Sequence, residues 1–139
     1  MTKLRSDFSF VNVYLRRALY NALQRSLDAF PAVLVTGPRQ SGKTTFLRHE
    51  IGERYRYVSF DDPLERDFAR TDPNGFLRAF DDSPALLDEV QHVPELLSYI
   101  KLRIDAAPDR LGRWVLTGSQ QFALMQQLGE SLAGREIGR

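Results

Sequence analysis

Residues 37–45 read GPRQSGKTT and follow directly on the apolar run AVLVT at 32–36. Gly37 and Gly42 bracket four residues, and Lys43, Thr44 and Thr45 come next. The stretch admits two readings. It is a phosphate cradle, or it is a glycine-marked turn from a strand into a helix with a surface lysine. GPRQSGKT fits G-x-x-x-x-G-K-[ST] without a mismatch. From average composition, those four fixed positions arise by chance in roughly one chain of this length in a few hundred. The glycines let the backbone curl so that successive N–H groups face phosphate oxygens. The helix that follows adds its free N-terminal amides and the positive end of its dipole. The strand before and the helix after are both predicted, so the cradle reading is taken. Its nucleotide-binding residues are Gly37, Pro38, Arg39, Gln40, Ser41, Gly42, Lys43, Thr44 and Thr45. Lys43 is expected to set its ammonium on the β- and γ-phosphates, and the Thr44 hydroxyl to coordinate Mg²⁺.

Outward from this stretch, short apolar runs alternate with helical patterns. Leu15, Ala18, Leu19, Ala22, Leu23 and Leu27 recur at three- and four-residue steps and predict an amphipathic helix ending near Phe30-Pro31. AVLVT is apolar on both faces, as a buried parallel strand is. A helix is expected from Gly42 to about His49, then a strand at RYVSF (56–60). Asp62 and Asp72, each followed by proline, are N-cap signals for two further helices. ALLDE (85–89) and RWVLTGS (113–119) read as strands, with a helix opening at Pro94 between them and a last helix over Phe122 to Leu128 before Gly129. The alternation predicts an α/β layer fold with a mostly parallel sheet. Ligands in such sheets bind beyond the carboxyl ends of the strands. The residues there are the cradle, Asp61-Asp62, Asp88-Glu89 and Thr117-Gly118-Ser119.

The 139 residues amount to one domain, divided by this reading into an N-terminal helix over 1–30 packed on a core over 31–139. Lys and Arg total 19 against 18 Asp and Glu, a net charge of +1, which argues for no general nucleic-acid surface and leaves such a partner open. There is no cysteine, so disulfides and thiolate metal sites are excluded. No apolar run approaches the roughly 20 residues of a membrane span. The N-terminus MTKLRSDFSF lacks a signal-peptide core, and a cytoplasmic protein is expected.

An apolar strand ending in Asp88-Glu89 is the expected partner of a phosphate cradle. Asp88 would hold the Mg²⁺ shell, usually through water. Glu89 would polarise the attacking water as general base. A solvated acidic pair in a loop is the plainer reading, and the cradle upstream decides against it. Ser119 admits two roles. It can hydrogen-bond the γ-phosphate or attacking water, or it can cap the helix containing Phe122; Thr117 is a weaker candidate for the first job. Arg39 can contact nucleotide or a neighbouring subunit, or simply face solvent. Arg135 has the same choice, with a γ-phosphate as its target. His49 and His92 are isolated and read as background, and Trp114 as core.

The stretches VLVTGPRQSGKTT, YVSFDDP, ALLDEVQHVPELL, WVLTGSQQFALM and SLAGR together resemble a large group of bacterial and archaeal AAA-type P-loop ATPases. The resemblance runs from the first helix to the end of the chain. It implies a P-loop NTPase three-layer α/β/α core with strand order 5-1-4-3-2, ATP and Mg²⁺ as ligands, and the roles argued above for Lys43, Asp88 and Glu89. It also supports Ser119 as a polar sensor and strengthens the case for Arg135 as a catalytic residue.

Members of that group continue past the AGR segment into a fifth strand and a C-terminal domain, so the chain reads as a truncated core with strand five missing or incomplete. Strand one would then be an open, apolar edge, inviting self-association there or through an AAA-type interface. FSFVNV (8–13) is β-prone and is a candidate to cover it. Two functions follow. One is an Mg²⁺-dependent ATPase; the other is a nucleotide-binding switch or interaction module with negligible turnover. A small-molecule kinase is weaker, since no acceptor site is recognisable. ATP against GTP is not written in any adenine-specific motif.

Overall fold

Among the described residues, five strands line up in the order β2-β3-β4-β1-β5. They are β1 (Ala32–Gly37), β2 (Arg56–Ser59), β3 (Ala85–Asp88), β4 (Trp114–Ser119) and β5 (Arg135–Gly138). Every pairing among them is parallel. Among the described residues five α-helices accompany them: α1 (Thr2–Ala29), α2 (Lys43–Ile51), α3 (Pro63–Thr71), α4 (Pro73–Arg78) and α5 (Leu96–Ala106). The computed structural model describes residues 2–37, 42–119 and 135–138, with side chains over 16–36 and 42–119. Pro38 to Ser41 of the cradle, the expected helix over Phe122 to Leu128 and Gly129 lie outside the described residues.

Side chains alternate across a strand, and here the alternation divides the core in two. Ala32 and Leu34 of β1, Ala85 and Leu87 of β3, and Trp114 and Leu116 of β4 face α3, α4 and α5. Phe60, Phe76 and Phe80 join them, each ring centroid 5.5 Å from the next, with Trp114 at 6.2 Å from Phe80. Val33 and Val35, Leu86 and Val115 face the other way, against Phe46, Leu47 and Ile51 of α2 and Leu23 and Leu27 of α1. Both faces of the sheet are thus covered, which is why its strands read as unbroken apolar runs. The result is the expected three-layer α/β/α fold.

Local signals placed several boundaries. Asp62 accepts a hydrogen bond from the Leu64 N–H at 2.9 Å and Asp72 one from the Gly75 N–H at 3.0 Å, each with proline in the first turn. Trp114 is core, 6% exposed.

Three expectations are corrected. Strand five is not missing: Arg135–Gly138 forms it and pairs with Val33 to Thr36 of β1. It follows that β1 is flanked by β4 and β5 and is no open edge, so self-association through it loses its basis. Lastly, FSFVNV does not lie on the sheet but within α1. β-propensity differences of about 1 kcal/mol are overridden by context, and here the edge is already taken.

Candidate functional site

The site gathers at the carboxyl ends of β1, β3 and β4, where the alternation that builds the core continues into polar residues. Asp88 shares a face with Leu86, and Thr117 with Val115, so both project toward α2. Thr44, in the first turn of α2, meets them there. The Thr44 hydroxyl donates to Asp88 Oδ1 at 2.8 Å. Thr117 Oγ1 donates to the same oxygen. On the other carboxylate oxygen, Tyr57 donates at 3.1 Å and Ser59 at 3.5 Å, both from β2. Asp88 is only 4% exposed, and four hydroxyls replace the water it has lost. Burial first, and then the Asp88 carboxylate, raise the Tyr57 hydroxyl above its ordinary pKa, so it stays protonated and able to donate.

Gly42 precedes α2 with φ at 87°, in the left-handed region that glycine alone enters without strain. That conformation turns the chain from the cradle loop into the helix. Lys43 follows, buried at 7% exposure, and its Nζ lies 3.9 Å from Glu89 Oε2. Glu89 is itself 6% exposed and takes φ 62°, uncommon for a residue with a side chain. Its N–H donates to Thr117 Oγ1 at 3.0 Å, and its Oε1 accepts from Gln91 Nε2 at 2.7 Å. Thr117 is therefore shared between the two acidic residues. The sequence ranked it below Ser119 for contact with reacting groups; the fold makes it the fully buried clasp that orients Asp88 and fixes the backbone of Glu89.

Asp61 completes the acidic group. Asp61, Asp88 and Glu89 each offer an oxygen within 4.8 Å of the others. His92 Nε2 sits 3.4 Å from Asp61 Oδ1, while exposed His49 pairs with Glu50 at 3.0 Å. Ser119 pairs in register with Gly37, the first residue of the cradle. Arg135 pairs with Val33, four residues before Gly37, or roughly 13 Å of strand.

Sequence reasoning thus named Thr44, Lys43, Asp88 and Glu89, and these do come together. It missed Tyr57, Ser59 and Gln91. The period-two alternation was available to place Tyr57 and Ser59 on the face of Asp88, once β2 was known to lie beside β3. All oxygen donors here are hard, and one or two carboxylates with a hydroxyl suit a small divalent cation shared with substrate phosphates.

Residues 29–137 match the model of a family described as AAA domain. The chain is 36% identical over 121 residues to the uncharacterized protein Rv2008c of Mycobacterium tuberculosis and equally to the uncharacterized protein Mb2031c of Mycobacterium bovis, with 86% of this chain covered. It spans 27% of the length of those curated relatives. Among solved structures, it is similar to AMPPCP-bound DnaA from Aquifex aeolicus, with a TM-score of 0.58 and 17% identity over 88% of this chain and 44% of that one. It is also similar to a DNA replication initiation factor, with a TM-score of 0.55 and 16% identity over the same shares. Likenesses at that identity show a common fold. The family match covers most of the chain: this chain belongs to the AAA domain family.

Proposed function

We propose that this chain binds ATP together with Mg²⁺ and hydrolyses it. The observation that carries the reading is the convergence of Thr44, Asp88, Lys43 and Glu89 at one end of the sheet, from two segments far apart in sequence. The AMPPCP-bound neighbour supports a nucleotide as ligand. Thr44 and Asp88 would hold Mg²⁺, which offsets negative charge on the β- and γ-phosphates when bound.

The chain's own groups do the rest. Backbone N–H groups of the cradle and the α2 N-terminus receive the phosphates. Lys43 turns from Glu89 to the γ-phosphate. Glu89, relieved of that cation, accepts a proton from water as the water oxygen bonds to the γ-phosphorus. The bond from γ-phosphorus to the bridging oxygen breaks, ADP leaves with the electron pair, and inorganic phosphate is the second product. Ser119, in register with Gly37, is proposed as a further donor to the γ-phosphate.

The test is phosphate release from ATP and from GTP by wild type and by Glu89→Gln. Turnover that falls about 10²–10⁴-fold with ATP affinity kept supports the reading. Nucleotide binding without any turnover in the wild type would replace it with a switch that binds ATP and does not cleave it.

A further inference from the structure

Glu89 has a partner that its proposed role as base does not explain. Gln91 Nε2 donates to Glu89 Oε1 at 2.7 Å. The other end of that amide, Gln91 Oε1, is buried, and among the described residues nothing donates to it. Buried acceptors are nearly always satisfied, and an exception asks for a cause. An ionised carboxylate only accepts, so an amide facing it must present N–H; turned over, it would set oxygen against oxygen. The orientation of Gln91 is therefore set by Glu89, at the expense of its own acceptor.

The backbone holds this arrangement in place. The left-handed turn at Glu89 starts a 3-10 turn over Val90–His92, which brings the side chain two residues on back beside the carboxylate. Val90 is fully buried beneath it, and Arg70 donates to the His92 carbonyl at 2.6 Å. Thr117 holds the Glu89 N–H from the other side.

We propose that Gln91 is the positioning residue for Glu89: its amide fixes one carboxylate oxygen, leaving the oxygen that faces Lys43 to meet the attacking water. This rests on Glu89 acting as the base. It adds that Gln91 works only through Glu89 and contributes nothing to holding nucleotide.

The test uses Gln91→Met, of similar length with neither donor nor strong acceptor, and Gln91→Glu, of the same shape with the donor lost. Both should lower kcat about 10- to 100-fold, the consequence of losing a hydrogen bond to a charged group. The dissociation constant for ATP should stay within about twofold, the split expected of a group that acts in the chemical step. Added to Glu89→Gln, Gln91→Met should cost nothing further, because residues acting as a unit are not additive. Gln91→Met with wild-type kcat overturns the proposal. So does a full additional loss in the double variant, or a loss accompanied by weakened ATP binding, which would mark a merely structural role. Should Gln91→Met not fold, Gln91→Glu carries the same comparison. Failure of the underlying reading looks different: Glu89→Gln alone would then keep wild-type turnover, or wild type would release no phosphate.

Discussion

Thr44 and Asp88 lie 44 residues apart in the chain, and the hydroxyl of one donates to the carboxylate of the other at 2.8 Å. The helix start that carries Thr44 follows β1, and Asp88 ends β3. The two strands are not neighbours, since β4 stands between them. Thr117, on β4, fills the gap by bonding to the same oxygen of Asp88. The proposed cation site thus draws on β3, on β4 and on the start of α2, which follows β1.

Asp88→Asn keeps the shape of this centre and removes its charge. The expected outcome is loss of the Mg²⁺ dependence of ATP binding, since the carboxylate is what attracts the ion. Titrations with and without Mg²⁺ should converge on one dissociation constant. A wild-type difference between them would show that Asp88 does not belong to the ion's shell.

Lys43→Ala should weaken ATP binding about 10- to 150-fold, the worth of charge-assisted hydrogen bonds to phosphate. The check is a binding isotherm alongside a circular dichroism spectrum. A folded variant with unchanged affinity would remove the cradle assignment.

Thr117→Val is nearly isosteric and deletes the hydroxyl shared by Asp88 and the Glu89 N–H. It leaves a buried donor without its partner, so stability should fall by about 1–3 kcal/mol. Urea unfolding measures this. A change under about 0.5 kcal/mol, the range of ordinary surface substitutions, would mean that the clasp is not needed for the fold.

Gly42→Ala forces a side chain into φ 87°, although among the described residues a Cβ there meets no atom within 4 Å. The strain is in the backbone rather than in any clash, and costs about 1–2 kcal/mol. ATP affinity should fall with it, since Gly42 sets the entry into α2. Unfolding and ATP binding both at wild-type values would contradict the role given to this glycine.

Ending the chain at Gly134 removes β5 and exposes the β1 edge, apolar on both faces. The shortened protein should melt lower or associate, because an unguarded edge pairs with other chains. Sedimentation and thermal melts compare the two lengths. A monomer with an unchanged melting temperature would mean that β5 contributes little.

Much of the site was legible because its signals are local. The cradle motif spans eight residues, and its meaning depends only on a strand before and a helix after. Asp88-Glu89 closes an apolar run, and Asp62 and Asp72 announce their helices within a few residues. Tyr57 and Gln91 carried no such signal. Tyr57 matters because β2 lies beside β3, and Gln91 because Glu89 adopts a left-handed conformation that turns the chain back on itself. Neither strand neighbours nor a positive φ at a glutamate can be read from spacing.

By itself the sequence determined the parallel α/β class, most of the described elements and the residues proposed for the cradle and acidic pair, because periodicity, caps and glycine placement act over a few residues. Tertiary structure alone decided the rest. It set REIG against β1 as a fifth strand, where the sequence had suggested an open edge. It drew FSFVNV into a helix. It made Thr117 the clasp of the acidic pair. Each of these depends on which strands lie side by side and in what register, and that is settled by burying apolar residues on both faces of one sheet at once.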